Sequence, residues 1–547
     1  MFMTRLYHPL FAASFAGRFN IAEGSLFMKE KILVFTHLSC DFKKSGVMAL
    51  FFLLGFVTIS SAQKSQQIEI VKAGSLEGSK SNGVEVRRLV GDVVFKQEDT
   101  YMYCDSALFF EATNSIDAFG TIRIEGPKAK LYGDVLHYDG NKKQAVITGK
   151  EVRMTDDKMV LTTTAMNYDL ANNIGHYSTG GRVVESQNVL TSRQGYYYSN
   201  ERMLFFKDSV ELTNPKYVMN SDTLKYNTTN SQAYFFGPST IRSLGSDSTF
   251  IYCENGWYNT KTEKSYFSKN AYVQAKENRL KGDSVIYDRQ NGIGRAWNNV
   301  QVSDSVQKMI IEGDYAILDE KQGTSFVTGK SMLTKIFETD SLFMHADTLY
   351  ASQDSATKEK KYFAYHHTRI FKTDLQGQCD SLIYSTGDST LWFYGAPILW
   401  NNKNQLTADL IYLKIADNKL STLNLSANAF IAGQEDSLRF NQVKGRDMTG
   451  FFIDNKLTSI KVTGNGQTVY YLRNKKKQLT GVNKADCSDM MIYLGGNSIQ
   501  KISLLNRPDA TLFPVKELSP NELKLKGFEW LGGKQPKNKE DIFIWNE

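Results

Sequence analysis

Apolar and polar positions alternate along the chain in short runs, and the runs return at a fixed spacing. "KLYGDVLHYDG" (130–140) comes back as "RLKGDSVIYDR" (279–289), 149 positions further on. Aligned on the acidic residue of this motif, anchors fall at Asp105, Asp134, Thr164, Gln194, Asp222, Glu254, Asp283, Asp314, Asp347, Asp380 and Asp409. Successive gaps run from 28 to 33 residues, the signature of an array of about thirty-residue repeats. Weaker copies follow at Asp447 and Asp489. Each unit offers two strand-like pieces. The first follows a Gly- or Asn-bearing turn, as in "FGTIRIEG" and "WNNVQVSD"; the second is D-x-h-x-Y, with h apolar. Polar turns such as "DGNKKQ" join them. No stretch of helix length carries helical apolar spacing. The pattern predicts an all-β chain whose units stack on their neighbours as a solenoid or elongated sheet, one rung of about 4.8 Å per unit.

In a strand, residues two apart share a face. Two positions after the anchor stand Ala107, Leu136, Met166, Tyr196, Leu224 and Val285. Four after it stand Phe109, Tyr138, Tyr168, Tyr198, Tyr226, Tyr258, Tyr287 and Tyr384. The first pieces add Val93, Ile122, Val152, Val183, Val210, Ile241, Val300 and Ile398. One face is therefore an apolar strip topped by an aromatic ladder. Two readings fit it. Either the columns close on each other as a dry core, with Tyr hydroxyls finding partners at the rim, or two apolar walls stay partly apart and hold an acyl chain. The anchor Asp, placed by simple alternation on the apolar face, is read as corner architecture that accepts N–H bonds where a strand starts.

Composition agrees with strands: 28 Tyr and 33 Phe stand against 9 Pro. The segment "KKSGVMALFFLLGFVTISSAQ" has the charged start, short apolar run and small residues of a secretory signal at about 43–62. A retained membrane anchor is the competing reading, and lipidation at Cys40 fits less well. Residues 1–42 show no repeat, which leaves Met28 and Met48 open as the true start. Residues 1–62 hold six Lys/Arg and three Asp/Glu, so about +4 of the net +7 remains over the other 485 residues. That charge is mild and dispersed, and it argues against nucleic acid as a partner.

Cys104, Cys253 and Cys379 occupy one repeat position, five units apart for the first pair, too far for a disulfide; buried free thiols are expected. Neighbouring His366 and His367 would point to opposite faces of a strand, a poor metal clamp. No nucleophile elbow, phosphate loop or zinc spacing is present, and no cofactor is implied. A binding or structural role is favoured over an enzyme.

The expected domains are a targeting segment (1–62), β repeats over 63–350, more divergent β repeats over 364–505, and a capping or docking tail (506–547). Between the repeat blocks, "ASQDSATKEKKYF" (351–363) reads as a long loop or a junction of two modules. Open sheet edges at the ends would need capping or would serve as partner sites.

With the repeat laid out, "LVGDVVFKQEDTYMYCDSALFF" followed by "AFGTIRIEGPKAKLYGDVLHYDGNKKQAVITGKEVRMTD" resembles the OstA-like family of LptA-type lipopolysaccharide-transport proteins. The resemblance spans about 68–440 and is clearest over 85–245. It implies an elongated, open β-jelly roll in the periplasm that carries lipid A acyl chains in a groove, with an association with the outer membrane left open. The implied partners are lipopolysaccharide, the inner-membrane ABC exporter complex and the outer-membrane translocon. The implied groove lining is Ile122, Ile124, Leu136, Tyr138, Met166, Tyr168, Leu224, Tyr226, Val285 and Tyr287. The chain departs from the family by its length, because the repeat simply runs on. A structural or adhesive β-solenoid with a dry core and no lipid is the alternative. A polysaccharide-binding or lyase-type solenoid would need an outer cluster of carboxylates and basic residues, and the sequence singles out none.

Overall fold

The computed structural model describes residues 67–547 apart from 82–83, 247, 339, 418, 477, 496–497, 515–516 and 546–547. The secretory signal expected at 43–62 lies outside the described residues. All strands, from Glu69–Lys72 to Asp509–Phe513, belong to one antiparallel sheet, and the helical pieces among the described residues are three single 3-10 turns. The sheet is a meander. Val84–Gln97 pairs with Thr100–Phe110, which pairs with Ser115–Glu125, and so on through Lys130–Asp139, Gln144–Thr155 and Met159–Asp169. Further on, some rungs are split into two short strands. Ile174–Tyr177 and Gly181–Glu185 both pair with Met159–Asp169.

Each rung breaks register near its middle, for example between Tyr103 and Ser106, Tyr132 and Val135, and Lys207 and Val210. At alternate rungs the break holds residues with left-handed φ: Gly120 (74°), Asp208 and Ser209 (62° and 53°), Asn298 and Asn299 (54° and 48°). An extra residue at such a bulge bends a strand. Each rung is thereby divided into two halves, which lie in two facing walls. Wall A carries the hairpins at 97–100, 125–130 and 155–159, and wall B those at 110–115, 139–144 and 169–174. One apolar core runs between the walls from Ile68 to Ile492.

Three expectations are corrected. A thirty-residue unit holds four half-strands and adds two rungs, about 9.6 Å by strand spacing, because segments taken for turns and returns, such as "KQAVIT", are half-strands of wall B. The anchor carboxylates do not share the apolar face. The bulge shifts the alternation by one, so Met102, Cys104, Ala107 and Phe109 are buried while Asp105 is exposed. At Gln194 the phase is also one residue off: Gly195 and Tyr197 point inward, and Tyr196 is 42% exposed.

The corner role of the anchors holds. Asp134 Oδ2 accepts the Lys150 backbone N–H at 2.8 Å, and Asp447 Oδ1 that of Ala427 at 3.0 Å. Glu254 and Asp283 take the amides of Asn270 and Asn299 at the next bend (2.8 and 2.9 Å). A Cβ on Gly120 would sit 2.2 Å from the Asp105 carboxylate, so only glycine fits there with that φ.

The 351–363 segment is a hairpin between Thr348–Gln353 and Lys360–Tyr365, and sheet and core run through it unbroken. Cys104, Cys253, Cys379 and Cys487 are free and buried. His366 and His367 sit at a bend with left-handed φ and pair with Asp380 (3.2 Å) and Asp347 (2.8 Å).

The C-terminal segment, expected as a capping or docking tail over 506–547, runs back along the sheet. Asp509–Phe513 still pairs with the sheet, at 482–486. From Ser519 the chain turns back across the outer face of wall A, crossing the rungs, instead of closing the end of the sheet. Outward glutamines hold it by both ends of their amides. Gln442 donates to Leu523 O (2.8 Å) and accepts from Leu525 N (2.9 Å). Gln405 donates to Glu529 O (2.8 Å) and accepts from Leu531 N (2.6 Å). Arg369 donates to the carbonyls of Lys534 and Asp541, and Gln535 donates to Gln376 (2.8 Å). Beneath this strap, Phe430, Ala432, Val469, Tyr471 and Val482 form a second apolar cluster with Leu525, against which Leu523, Phe528 and Trp530 pack. Ile398, expected on the inner face, lies outward on this covered side, and Leu399 takes the inner place.

Candidate functional site: the interior between two walls

All ten residues named as groove lining face the interior and belong to one core cluster. Their exposures run from 0% (Ile124, Tyr226, Val285) to 4% (Tyr168). In the described structure the walls are in contact at these positions. An outward depression of about 500 Å³, lined by Thr191, Glu211, Asn220, Thr240 and Tyr252 among others, touches none of the ten.

The aromatic ladder explains how the walls are closed. Along wall B, near its hairpins, Tyr138, Tyr168, Tyr197, Tyr226, Tyr258 and Tyr287 come once per repeat. All but Tyr197 lie opposite a small residue of the next rung: Ala145, Gly175, Ala233, Ser265 and Gly294. The rings fill the space over these residues, and several hydroxyls reach wall A. Tyr138 donates to Gln97, whose amide also donates to Gly140 O (2.9 Å). Tyr197 donates to Asp156. Tyr226 donates to Glu185 (3.0 Å) and accepts from Asn188 (3.0 Å). Ion pairs lie outside this row: Lys143–Glu98 (2.7 Å), Arg202–Asp157 (3.3 Å) and Lys216–Glu263. A further cross-wall contact is Lys360–Asp304 at 3.0 Å. Sequence reasoning found the ladder but placed Tyr198 in it where the shifted phase puts Tyr197, and it missed Gln97, Asp156, Glu185 and Asn188, because their partners lie about forty positions away and leave no local pattern.

Burial disfavours the ionised phenolate. It pushes the Tyr226 hydroxyl up to about 12, with Glu185 adding to the rise, and the Tyr177 hydroxyl to about 12. Tyr138, Tyr168, Tyr197 and Tyr287 move in the same direction, again chiefly through burial. Burial also raises the Cys104 and Cys253 thiols to about 12. A folded-state value raised above the ordinary one means that the folded protein holds the proton more tightly. That stability is fully present below the ordinary value, near 10 for tyrosine and 9 for cysteine, and is lost as pH climbs through 12. Each group contributes about 1.4 kcal/mol per pH unit inside its window. The urea midpoint is expected to stay level from pH 7 to 9 and to fall steeply above 10; a level midpoint to pH 11.5 would contradict the burial of these tyrosines, several of which latch wall B to wall A.

Beyond Tyr384 the same column changes character. It continues through Leu391, Leu413, Leu423, Gly450, Ile460, Ile492 and Ile502, none of which carries a hydroxyl. Leu391, Leu420, Ile431, Phe452, Leu457 and Ile502 are only partly buried against the core. Among the described residues no group of three or more His, Cys, Asp or Glu side chains is placed to hold a metal ion.

The class is thus an all-β stack of bent antiparallel rungs with an apolar interior between two walls. Residues 65–222 match the family model described as OstA-like protein, so this stretch is OstA-like. Among solved structures, LptH of Pseudomonas aeruginosa, described as the LptA-homologous periplasmic component of the lipopolysaccharide transport device, aligns at 14% identity. The alignment covers 22% of this chain and 82% of that one, with a TM-score of 0.19. No curated protein matches the chain.

Proposed function

We propose that the chain is a non-enzymatic, periplasmic lipopolysaccharide-binding and transport protein. It carries lipid A acyl chains between its two walls, on the way from an inner-membrane ABC exporter complex to an outer-membrane translocon. The observation that supports this reading is the OstA-like match over 65–222 in a chain whose apolar interior runs from Ile68 to Ile492. The walls offer hydrocarbon on both sides, and a groove of this kind suits a ligand whose chains would otherwise meet water. The ten residues from Ile122 to Tyr287 belong to that interior, and acyl chains would reach them only where the cross-wall bonds of Tyr138, Tyr197 and Tyr226 give way.

A second reading is a structural or adhesive stack with no lipid ligand, favoured by the 0–4% exposure of those ten. Protein purified from a host that makes lipopolysaccharide decides between them. The carrier reading expects stoichiometric lipid A in the organic extract and photo-adducts to lipopolysaccharide from at least one interior position. No lipid at saturation and no adduct at any interior position would leave the structural reading.

A further inference from the structure

We propose that the acyl-carrying stretch of this chain is the C-terminal part of the interior, from Leu391 to Ile502 along wall B, and that the Tyr-latched part before it is a closed spine. The proposal rests on the lipid-carrier reading above.

The argument is one of exchange. Opening the latched part breaks the bonds of Tyr138, Tyr197 and Tyr226 to Gln97, Asp156, Glu185 and Asn188. A hydrocarbon chain offers neither donor nor acceptor, so it returns none of these bonds. Each buried polar group left unpaired costs about 1–3 kcal/mol. In the C-terminal part the opposed side chains are aliphatic: Leu391, Leu413 and Leu423 on wall B, Leu399, Leu406 and Ile431 on wall A. There an acyl chain replaces apolar contact by apolar contact, and parting the walls costs little net area in water. Of these, Leu391 and Ile431 keep part of their surface exposed, while Leu399, Leu406, Leu413 and Leu423 are buried.

A second observation concerns the same residues. Where the column has lost its hydroxyls, wall A is held from outside by the C-terminal strap, through Gln376, Gln405 and Gln442. In the latched part hydroxyls tie the walls to each other; here wall A has a tie of its own, to the strap. The strap therefore braces a wall that must stand while its partner moves away.

The test uses the full chain with a photo-crosslinking phenylalanine analogue at Leu391 or Ile502, and at Leu170 or Tyr226 for comparison, irradiated with purified lipopolysaccharide. Leu170 is partly buried against the core in the latched part, so a bulky probe is tolerated there as well as at Leu391. Thermal melts of each variant show that it is folded. Adducts at Leu391 and Ile502 at least ten times those at Leu170 and Tyr226 support the proposal. Equal or stronger adducts at Leu170 or Tyr226 overturn it and leave the carrier reading standing. No adduct at any of the four, with all variants folded, overturns both.

Discussion

A chain ended after Phe513 is expected to lose several kcal/mol of stability in its C-terminal part and to bind a hydrophobic dye that the full chain excludes. The strap from Ser519 onward covers Phe430 and Tyr471, each 6% exposed, and Val469, fully buried, while Trp400 is buried on the same outer side. Burying a large apolar side chain is worth about 1.5–3 kcal/mol. Several become wet at once, and their wall halves are apolar on both faces. The truncated chain also leaves the amides of Gln405 and Gln442 to water, a smaller effect because water can satisfy them. A control separates the two terms. Gln442→Ala removes two hydrogen bonds to the strap and is expected to cost about 1–3 kcal/mol without opening the apolar cluster to dye. Urea unfolding followed by Trp fluorescence reads both, since Trp400 remains in the truncated chain. An unchanged midpoint with no dye binding would mean that the strap merely rests on the wall.

The period of the fold was legible because most repeats put apolar residues at the same offset from the anchor, and stacked rungs must match side chain to side chain. Leu136, Leu224 and Val285 are buried as alternation predicts. Alternation fails where the backbone departs from a regular strand. Asp105 turns outward because the bulge beside it inserts a residue, and no local composition marks on which side of the bulge the phase changes. The strap does leave a signal in the sequence. "APILW" and "AFIAG" are continuous apolar runs among alternating ones, as expected of strands buried on both faces. The tail's own scattered aromatics are the matching half. The latch could not be read at all from one sequence, since Tyr226 and Glu185 stand 41 positions apart, and neither residue type implies the other.

Leu224→Asp is expected to prevent stable folding at neutral pH, whereas Leu391→Asp is expected to leave a folded chain. Leu224 is 1% exposed, in a stretch whose walls are tied by Tyr197 to Asp156 and Tyr226 to Glu185. A carboxylate there has no cationic partner and no route to water unless the latch opens. An unpaired charge in such a place belongs to the few causes of losses above about 4–5 kcal/mol. The carboxyl can escape by staying protonated, so the variant should recover some stability as pH falls toward 5. Leu391 sits in the same wall, but only partly buried, where the column beyond Tyr384 offers no hydroxyl to tie it shut. Water reaches the side chain with little movement of the walls, and the expected loss is about 1–2 kcal/mol. The comparison is informative because both substitutions are chemically identical and both positions face the interior. If Leu391→Asp proves as damaging as Leu224→Asp, the two parts of the interior are equally closed, and an acyl chain would have to force either one against the same resistance. A wide gap between them, read as urea midpoints at pH 7, means that the walls part at the end of the chain where aliphatic side chains face each other and the strap holds wall A from behind.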